Sequence, residues 1–209
     1  MAKAERFVQI KVTLNDIRPP IWRRLVLPSA TTLEDLHFII LAAMGWQGGH
    51  LHAFRAAERQ YSDPSEVEDA ADESRMTISG LVRLGVSRFR YTYDFGDDWE
   101  HTILIEKKQP PTASPNVATC LAGSRNCPPE DCGGAPGYEE LLAALATPDT
   151  PESKELIETV GGKFDPEEFS VEKTNARMAR RLVSIRCRPQ LCRCCGSQRL
   201  SVLSLLCRF

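Results

Sequence analysis

Long apolar runs, a signal-like leader and acidic residues near the end are all missing from this chain of 209 residues. Its longest apolar run, 38–46, is too short to cross a bilayer. Its first residues lack the apolar core that a secretory signal needs. We therefore expect a cytoplasmic protein without a membrane segment.

Acidic residues are absent from the segment 173–209, which holds one Lys and eight Arg. The net charge of the whole chain is only −2, so an acidic body precedes a strongly basic tail. A tail of this charge favours neutralisation of nucleic-acid phosphates. The tail 173–209 is therefore a candidate for DNA contact. The alternative is that it rests on the acidic body of its own chain, or has no partner.

The eight cysteines do not follow either of the common cysteine frameworks. Without a signal peptide, they argue against a set of structural disulfides. They form two groups, and neither group has the paired C-x₂-C spacing of a structural zinc site. Cys120, Cys127 and Cys132 would make a loose metal site with a fourth ligand such as His101. The alternative is that these thiols pack as small hydrophobic groups.

The segment 89–105 predicts a β-hairpin, because aromatic or β-branched residues alternate with polar ones on both sides of a turn. A three-residue turn at 96–98 sets the register of this hairpin. The pairs expected on one face are Phe95–Trp99, Tyr93–His101 and Tyr91–Ile103. On the other face Asp94 lies directly opposite Glu100, and two like charges so placed need a cation to offset them.

Shorter patterns predict the remaining elements. The alternating segments 8–14, 21–27 and 50–54 are expected to be strands. Thr32 begins a capping-box-like start of a helix that stops at Gly45. Further helices are predicted at 137–146 and 151–160, and a last one begins at Asp165 and runs towards Arg181.

Six motifs occur in an order that resembles a known family. They are PPIWRR (19–24), the helix 33–46 ending in AMGW, HLHAF (50–54), YDFGDDWEH (93–101), CPPEDCGG (127–134) followed by Gly137 and Tyr138, and FDPEEF (164–169). Together they resemble the plasmid pRiA4b ORF-3-like family, which is also labelled as TnpR-type passenger proteins of insertion sequences. The resemblance covers about residues 5–181 and leaves out the tail 182–209, a basic Cys-rich segment.

The resemblance implies a fold and a genetic setting but no reaction. The fold expected is α+β, a compact roll-like single domain with a mixed or antiparallel sheet packed by helices. The setting is that of plasmids and transposable elements. The basic tail 182–209 is expected to be poorly ordered.

Two groups of side chains are candidates for a site. The binding set around the hairpin comprises Arg23, Arg24, Asp94, Asp97, Asp98, Glu100 and His101. The metal set comprises His50, His52, Cys120, Cys127 and Cys132. Since His50 and His52 lie two apart on a predicted strand, their side chains share a face, and neighbouring carboxylates would complete a site for Zn, Mn or Fe.

Structural roles compete with each of these candidates. His101 shares its predicted face with aromatic residues, which favours a place in the core. Asp97 and Asp98 suit the backbone of a turn. An arginine of the second strand, or Arg90, would neutralise the two opposed acids of the hairpin.

The function favoured by these observations is a non-enzymatic binding or accessory module for a protein or nucleic-acid partner. The alternative is a metal-dependent enzyme of hydrolytic type that uses His50, His52, Asp94 and Glu100. A recombinase is disfavoured, because no nucleophile motif accompanies the Arg23–Arg24 pair.

Overall fold

The computed structural model describes residues 7–106 and 118–186, with side chains as far as Arg181. Its elements in chain order are β1 (Phe7–Leu14), β2 (Trp22–Pro28), α1 (Leu33–Met44), β3 (His52–Ala56), β4 (Arg59–Ser62), β5 (Ala71–Asp72), a 3₁₀ turn (Glu73–Arg75), α2 (Ile78–Arg83), β6 (Arg88–Tyr93), β7 (Trp99–Ile105), β8 (Thr119–Ser124), α3 (Gly134–Ala146), α4 (Pro151–Thr159) and α5 (Val171–Arg186). None of the described helices is long and apolar enough to span a membrane.

All the described strands form one mixed sheet in the order β5–β4–β3–β6–β7–β1–β2–β8. Neighbouring strands are antiparallel except β4 and β5, which are parallel. Because β7 also pairs with β1, the hairpin β6–β7 lies in the middle of the sheet. The predicted single α+β domain, with a mixed sheet packed by helices, is confirmed.

The sheet has a buried inner face and an open outer face, because side chains alternate along each strand. Helices α1 and α5 cover the inner face. His37 of α1 shares a 2.7 Å hydrogen bond with the Tyr91 hydroxyl, and Asn175 of α5 bonds the backbone of Cys120 at 2.7 and 3.0 Å. Buried on this face are Ile10, Val12, Leu14, Leu25, Leu27, Phe54, Tyr91, Tyr93, Trp99, His101 and Ile103.

Helix α1 forms as its sequence predicts. The Thr32 side chain accepts a hydrogen bond from the Asp35 backbone N–H at 3.1 Å, which caps the first turn. Gly45 ends the helix with a φ of 105°, a left-handed conformation that suits glycine. The chain beyond Gly45 then leads Trp46 and His50 to one end of the sheet.

The hairpin register differs from the predicted one by two residues. Tyr93 pairs with Trp99 and Thr92 pairs with Glu100, so the loop runs from Asp94 to Asp98. The physical reason is Asp94, which has a φ of 58° and accepts hydrogen bonds from the N–H groups of the two residues after Phe95. The expected opposition of Asp94 and Glu100 is therefore wrong. The aromatic residues that remain in the two strands keep their predicted face, because a shift of two residues preserves alternation.

Phe95 leaves the aromatic face with this change of register. It lies in the loop with 45% of its surface exposed, instead of pairing with Trp99. Other predicted boundaries also move, and α3 begins at Gly134 instead of Gly137. Strand β3 begins at His52 instead of His50, and α5 begins at Val171 instead of Asp165. Asp165 instead closes a short turn by accepting a hydrogen bond from the Glu167 N–H at 2.9 Å.

The basic tail is only partly described. Residues 182–186 continue the backbone of α5, so the predicted boundary at 181–182 falls within a helix. The rest of the tail, including the cysteines from Cys187 to Cys207, lies outside the described residues. The prediction of DNA contact through 173–209 therefore stays a prediction.

Candidate functional site

Three loops bring His50, Asp94 and Asp131 together at one end of the sheet. His50 follows α1, Asp94 begins the β6–β7 loop, and Asp131 lies in the loop between β8 and α3. The His50 Nδ1 atom lies 3.3 Å from Asp94 Oδ2, and its Nε2 atom lies 3.5 Å from Asp131 Oδ1. The imidazole therefore sits between two carboxylates.

Asp94 is positioned by its own backbone and by the turn it begins. Its Oδ1 atom accepts the Gly96 N–H at 2.9 Å, and its N–H donates to the Leu51 carbonyl at 2.8 Å. The second hydrogen bond ties the hairpin loop to the segment that carries His50. Because Oδ1 is occupied, Oδ2 is the oxygen that faces the imidazole. Asp94 is largely buried, with 8% of its surface exposed.

Glu130 anchors the loop that carries Asp131. Its carboxylate accepts the Tyr93 hydroxyl at 2.6 Å and the backbone N–H groups of Gln47 and Gly48 at 2.8 and 3.1 Å. Burial and this carboxylate both raise the pKa of Tyr93, so the hydroxyl stays protonated and remains a donor. One anionic side chain thus joins β6, the end of α1 and the β8–α3 loop.

Two further contacts hold the same loop, one with the segment after α1 and one with the hairpin. The Trp46 indole N–H donates to the Pro128 carbonyl at 2.9 Å. Gly134, with a φ of 67°, lies so near the hairpin that an added Cβ would meet the Asp97 carbonyl oxygen at 2.5 Å. The loop is therefore packed on the hairpin by close backbone contact as well as by hydrogen bonds.

Asp131 extends from this anchored loop towards His50 while most of its side chain remains in solvent. The exposed fraction of the side chain is 74%, and the residue adopts a φ of 58°. Its neighbour Glu130 is turned inward by three hydrogen bonds. The two adjacent acids therefore differ in role, one holding the loop and the other available to a ligand.

A cavity of about 640 Å³ is lined by His50 and Asp131, two of these three side chains. Its size is typical of pockets that bind small molecules. The lining combines both signs of charge with apolar groups and includes Trp46, His50, Glu130, Asp131, Phe164 and Arg177. The Arg177 Nε atom donates a hydrogen bond of 3.3 Å to the Ala42 carbonyl, which holds the guanidinium at the cavity wall.

The donor set of this site suits a divalent metal ion. One imidazole nitrogen and two carboxylate oxygens, one from each residue, all lie within 4.8 Å of one another. Within residues 7–106 and 118–181, this is the one group of at least three such side chains that meets that distance. Mixed imidazole and carboxylate ligands suit Zn, Mn or Fe.

His52, the second predicted histidine ligand, lies elsewhere. Its Nε2 atom is 2.9 Å from Oε2 of Glu73, and both side chains are buried. Its ring stacks on His37 at a centroid distance of 3.6 Å. The prediction that His50 and His52 share one face of a strand is wrong, because the strand begins at His52 and the loop turns His50 towards Asp94.

The acidic residues of the hairpin pair with different basic residues. Glu100 pairs with Arg90 at 2.9 Å and also accepts the Asn15 amide. Arg24 pairs with Glu106 at 2.7 Å. Neither arginine of β2 approaches Asp94, for which His50 is the basic neighbour.

Arg23 is buried and bonded entirely to backbone carbonyl groups. With 1% of its surface exposed, it donates to the carbonyls of Trp22, Ala43, Ser124 and Arg125 at 2.8 to 3.1 Å. Burial lowers the pKa of its guanidinium. These hydrogen bonds join β2 to α1 and to the last residues of β8 and the residue after it. Arg23 therefore stabilises the fold and does not line the cavity.

Three further candidates of the binding set lie in or under the hairpin. His101 is completely buried, its Nδ1 atom lies 3.0 Å from the Trp99 carbonyl, and burial lowers its pKa to about 4. Asp98 takes a φ of 53° in the loop. The Asp97 Oδ2 atom is buried without a hydrogen-bond partner among the described residues. None of the three belongs to the metal-ligand group.

The three described cysteines are free thiols. Cys120 and Cys127 are buried and Cys132 is half-buried. Burial raises the pKa of each thiol, to about 12 for Cys127 and about 11 for Cys132. Among the described side chains they form no metal-ligand group with His101. Their surroundings fit the alternative of packed hydrophobic groups.

The family is shown by comparison with known proteins. The model of the plasmid pRiA4b ORF-3-like protein family matches residues 6–173. The chain belongs to this family. A relative in the same comparison, the uncharacterized protein y4hQ of Sinorhizobium fredii (strain NBRC 101917 / NGR234), is 38% identical over 157 residues, or 74% of this chain and 80% of y4hQ.

A solved structure of similar fold is that of the protein of unknown function MM3350 from Methanosarcina mazei Go1. Its crystal structure matches with a TM-score of 0.73 and 33% identity, over 79% of this chain and 96% of its own. This chain therefore shares its fold with MM3350, and its function must be argued from the site itself.

Proposed function

We propose that this plasmid pRiA4b ORF-3-like protein binds a divalent metal ion through His50, Asp94 and Asp131 and is a metal-dependent hydrolytic enzyme. The observation that supports this most is the convergence of three ligand groups from three separate loops. Hydrogen bonds hold each of these loops in place. Such separate positioning of three ligand groups favours a shared function for them. The substrate would occupy the adjoining cavity of about 640 Å³.

The number of protein ligands, three, favours a catalytic ion over a structural one. Structural zinc sites are closed by four protein ligands, whereas catalytic sites keep a position for water or substrate. When bound, such an ion supplies a Lewis acid and lowers the pKa of its water towards 7. Asp131 is largely exposed, so the side of the site next to the cavity is open to a substrate.

Side chains around the cavity would bind the substrate and position the ligand loop. Arg177 presents a cation at the wall and would hold an anionic group of the substrate. Glu130 is already engaged by Tyr93 and two backbone N–H groups, so we assign it to positioning and not to proton transfer.

Titration of the metal-free full chain with Mn²⁺ tests the metal site. Mn²⁺ is preferred to zinc because the thiols of Cys187 to Cys207 would compete for zinc. We expect one tight site per chain in calorimetry. Asp131→Asn should weaken it more than about 100-fold, since removing even a group that only orients a ligand costs about 10- to 100-fold.

The control removes the same charge at a distance from the site. Asp149 is exposed and lies after α3, so Asp149→Asn should bind Mn²⁺ as the wild type does. Equal affinities of Asp131→Asn and wild type would overturn the assignment. Hydrolysis of chromogenic ester and phosphate substrates, with and without Mn²⁺, tests the enzymatic part separately. Metal binding without metal-dependent turnover on any of them would count against that part alone.

A further inference from the structure

The outer face of the sheet is cationic, although the chain as a whole is acidic. The cations that project from this face are Arg55 on β3, Arg88 and Arg90 on β6, Lys11 on β1 and Arg24 on β2. Against them stand two carboxylates, Glu100 on β7 and Glu106 just after it. The excess of positive charge on this surface is opposite in sign to the chain's net charge of −2.

Strand register sets these cations in two rows across the sheet. Arg55 pairs directly with Arg90 across β3 and β6. The second row begins with Arg88, which pairs with Leu104, and continues through Lys11 to Arg24. With strands about 4.8 Å apart, the second row is roughly 14 Å long. This is an extended cationic surface instead of a point site.

Two cations in these rows are free to meet a ligand. Arg90 pairs with Glu100 and Arg24 pairs with Glu106, at 2.9 and 2.7 Å. Arg55 and Arg88 are exposed, and within the described part of the chain neither has a carboxylate partner. Glu100 offsets Arg90, so Arg55 is the member of this directly opposed pair that is left to meet an external anion.

An exposed aromatic ring stands beside these arginines. Phe95, 45% exposed, lines a depression of about 600 Å³ on the outer face together with Arg55, Gln60, Arg90, Thr92 and Glu100. Trp22 on the same face is already occupied, because Lys11 and Arg24 lie 4.8 and 5.3 Å from its ring centroid. Phe95 is therefore the ring that is open to stacking.

We propose that this outer face binds single-stranded nucleic acid, with phosphates on Arg55 and Arg88 and a base stacked on Phe95. A cationic surface that follows the backbone, combined with an exposed aromatic ring, is the arrangement that binds single strands. Gln60 and Thr92 in the same depression offer hydrogen bonds to a base edge. Duplex DNA is the poorer fit, because the bases of a duplex are stacked on one another and do not expose a face to Phe95.

Fluorescence anisotropy of a labelled 20-nucleotide oligothymidylate against the full chain tests this inference. We expect salt-sensitive binding that the double variant Arg55→Gln/Arg88→Gln weakens at least tenfold. The double variant should also lower the slope of log K against log salt by about 1.4, since each phosphate contact on a single strand contributes about 0.7. Phe95→Ala should weaken binding about tenfold with an unchanged salt slope.

The matched control is Arg83→Gln, which removes an exposed arginine from α2, away from the sheet. It should bind as the wild type does. Wild-type affinity in the double variant would overturn the inference and assign any binding to the basic tail 173–209. Absence of binding by the wild type at low salt, or equal affinity for a duplex of the same length, would overturn it as well. Metal binding is measured separately, so failure here leaves the metal proposal untouched.

Discussion

The Tyr93 hydroxyl donates a 2.6 Å hydrogen bond to Oε1 of Glu130. This bond links the central strand β6 to the loop between β8 and α3, two parts of the chain that are distant in sequence. The same loop carries Asp131, whose Oδ1 atom lies 3.5 Å from the His50 ring. The geometry of the proposed metal site therefore depends on a residue that does not itself offer a ligand to the ion.

Removing the Tyr93 hydroxyl should weaken metal binding without removing a ligand. Tyr93→Phe leaves the ring in the core but takes one of three hydrogen bonds from Glu130. We expect Mn²⁺ affinity to fall about 10- to 100-fold, as for other groups that orient ligands. Calorimetry measures the effect, with Tyr61→Phe as the control. An unchanged affinity would show that Asp131 does not need the anchored loop.

Gly134 should be intolerant of a side chain, because its backbone is both strained for other residues and tightly packed. Gly134→Ala would place Cβ 2.5 Å from the Asp97 carbonyl oxygen at a φ of 67°. Gly162→Ala has a similar φ of 77° but open space around it, so it isolates the cost of the conformation. That cost is about 1–3 kcal/mol. Urea unfolding should show a larger loss for Gly134→Ala, and equal losses would contradict the packing of the two loops.

The buried pair of His52 and Glu73 should matter for stability and not for metal binding. Glu73→Ala removes the carboxylate 2.9 Å from His52 and leaves a buried histidine without its partner. Leaving a buried polar group without its hydrogen-bond partner costs about 1–3 kcal/mol in the free energy of unfolding. Glu139→Ala, at an exposed position of α3, should cost far less. A loss of Mn²⁺ affinity in the folded Glu73→Ala variant would return His52 to the metal set.

Stability should fall as the pH decreases from 6.5 towards 4, because His101 stays neutral in the folded state. Burial lowers its pKa from 6.5 to about 4, and burial lowers that of His37 to about 2. Above pH 6.5 both imidazoles are neutral in the folded and the unfolded chain. They therefore contribute no pH dependence to the free energy of unfolding in that range. Below it the unfolded chain binds protons that the folded chain does not, at a cost of about 1.4 kcal/mol per pH unit for each histidine.

Urea unfolding at pH 7 and pH 5 measures this dependence. His101→Asn should reduce the loss between the two values by about 2 kcal/mol, since one neutral buried imidazole has been removed. If the variant loses as much stability between pH 7 and pH 5 as the wild type does, burial does not lower the pKa of His101.

Sequence patterns predicted most of the fold because local rules act on single elements. The Thr32 cap, the Gly45 stop and the alternation of β6 and β7 all form as expected. The register of the hairpin was wrong because the left-handed conformation of Asp94 lengthens the loop, and no local pattern distinguishes that loop from a shorter one.

The site itself was only partly predictable. His50 and Asp94 were candidates from their neighbourhood in sequence, but neither Asp131 nor Glu130 was among the candidate residues. Glu130 is turned inward by contacts from distant segments. The available signal was two adjacent acids in a loop rich in Pro and Gly, where one acid often satisfies backbone N–H groups. Which acid does so depends on tertiary contacts that no spacing rule contains.

The location of a bound ion tests the proposed metal site most directly. Crystals of the full chain grown with Mn²⁺ would give an anomalous difference peak at the ion. We expect one peak bounded by the His50 ring, Asp94 Oδ2 and Asp131 Oδ1, and its loss in Asp131→Asn. A fully bound Mn²⁺ elsewhere, with none between these three side chains, would contradict the assignment.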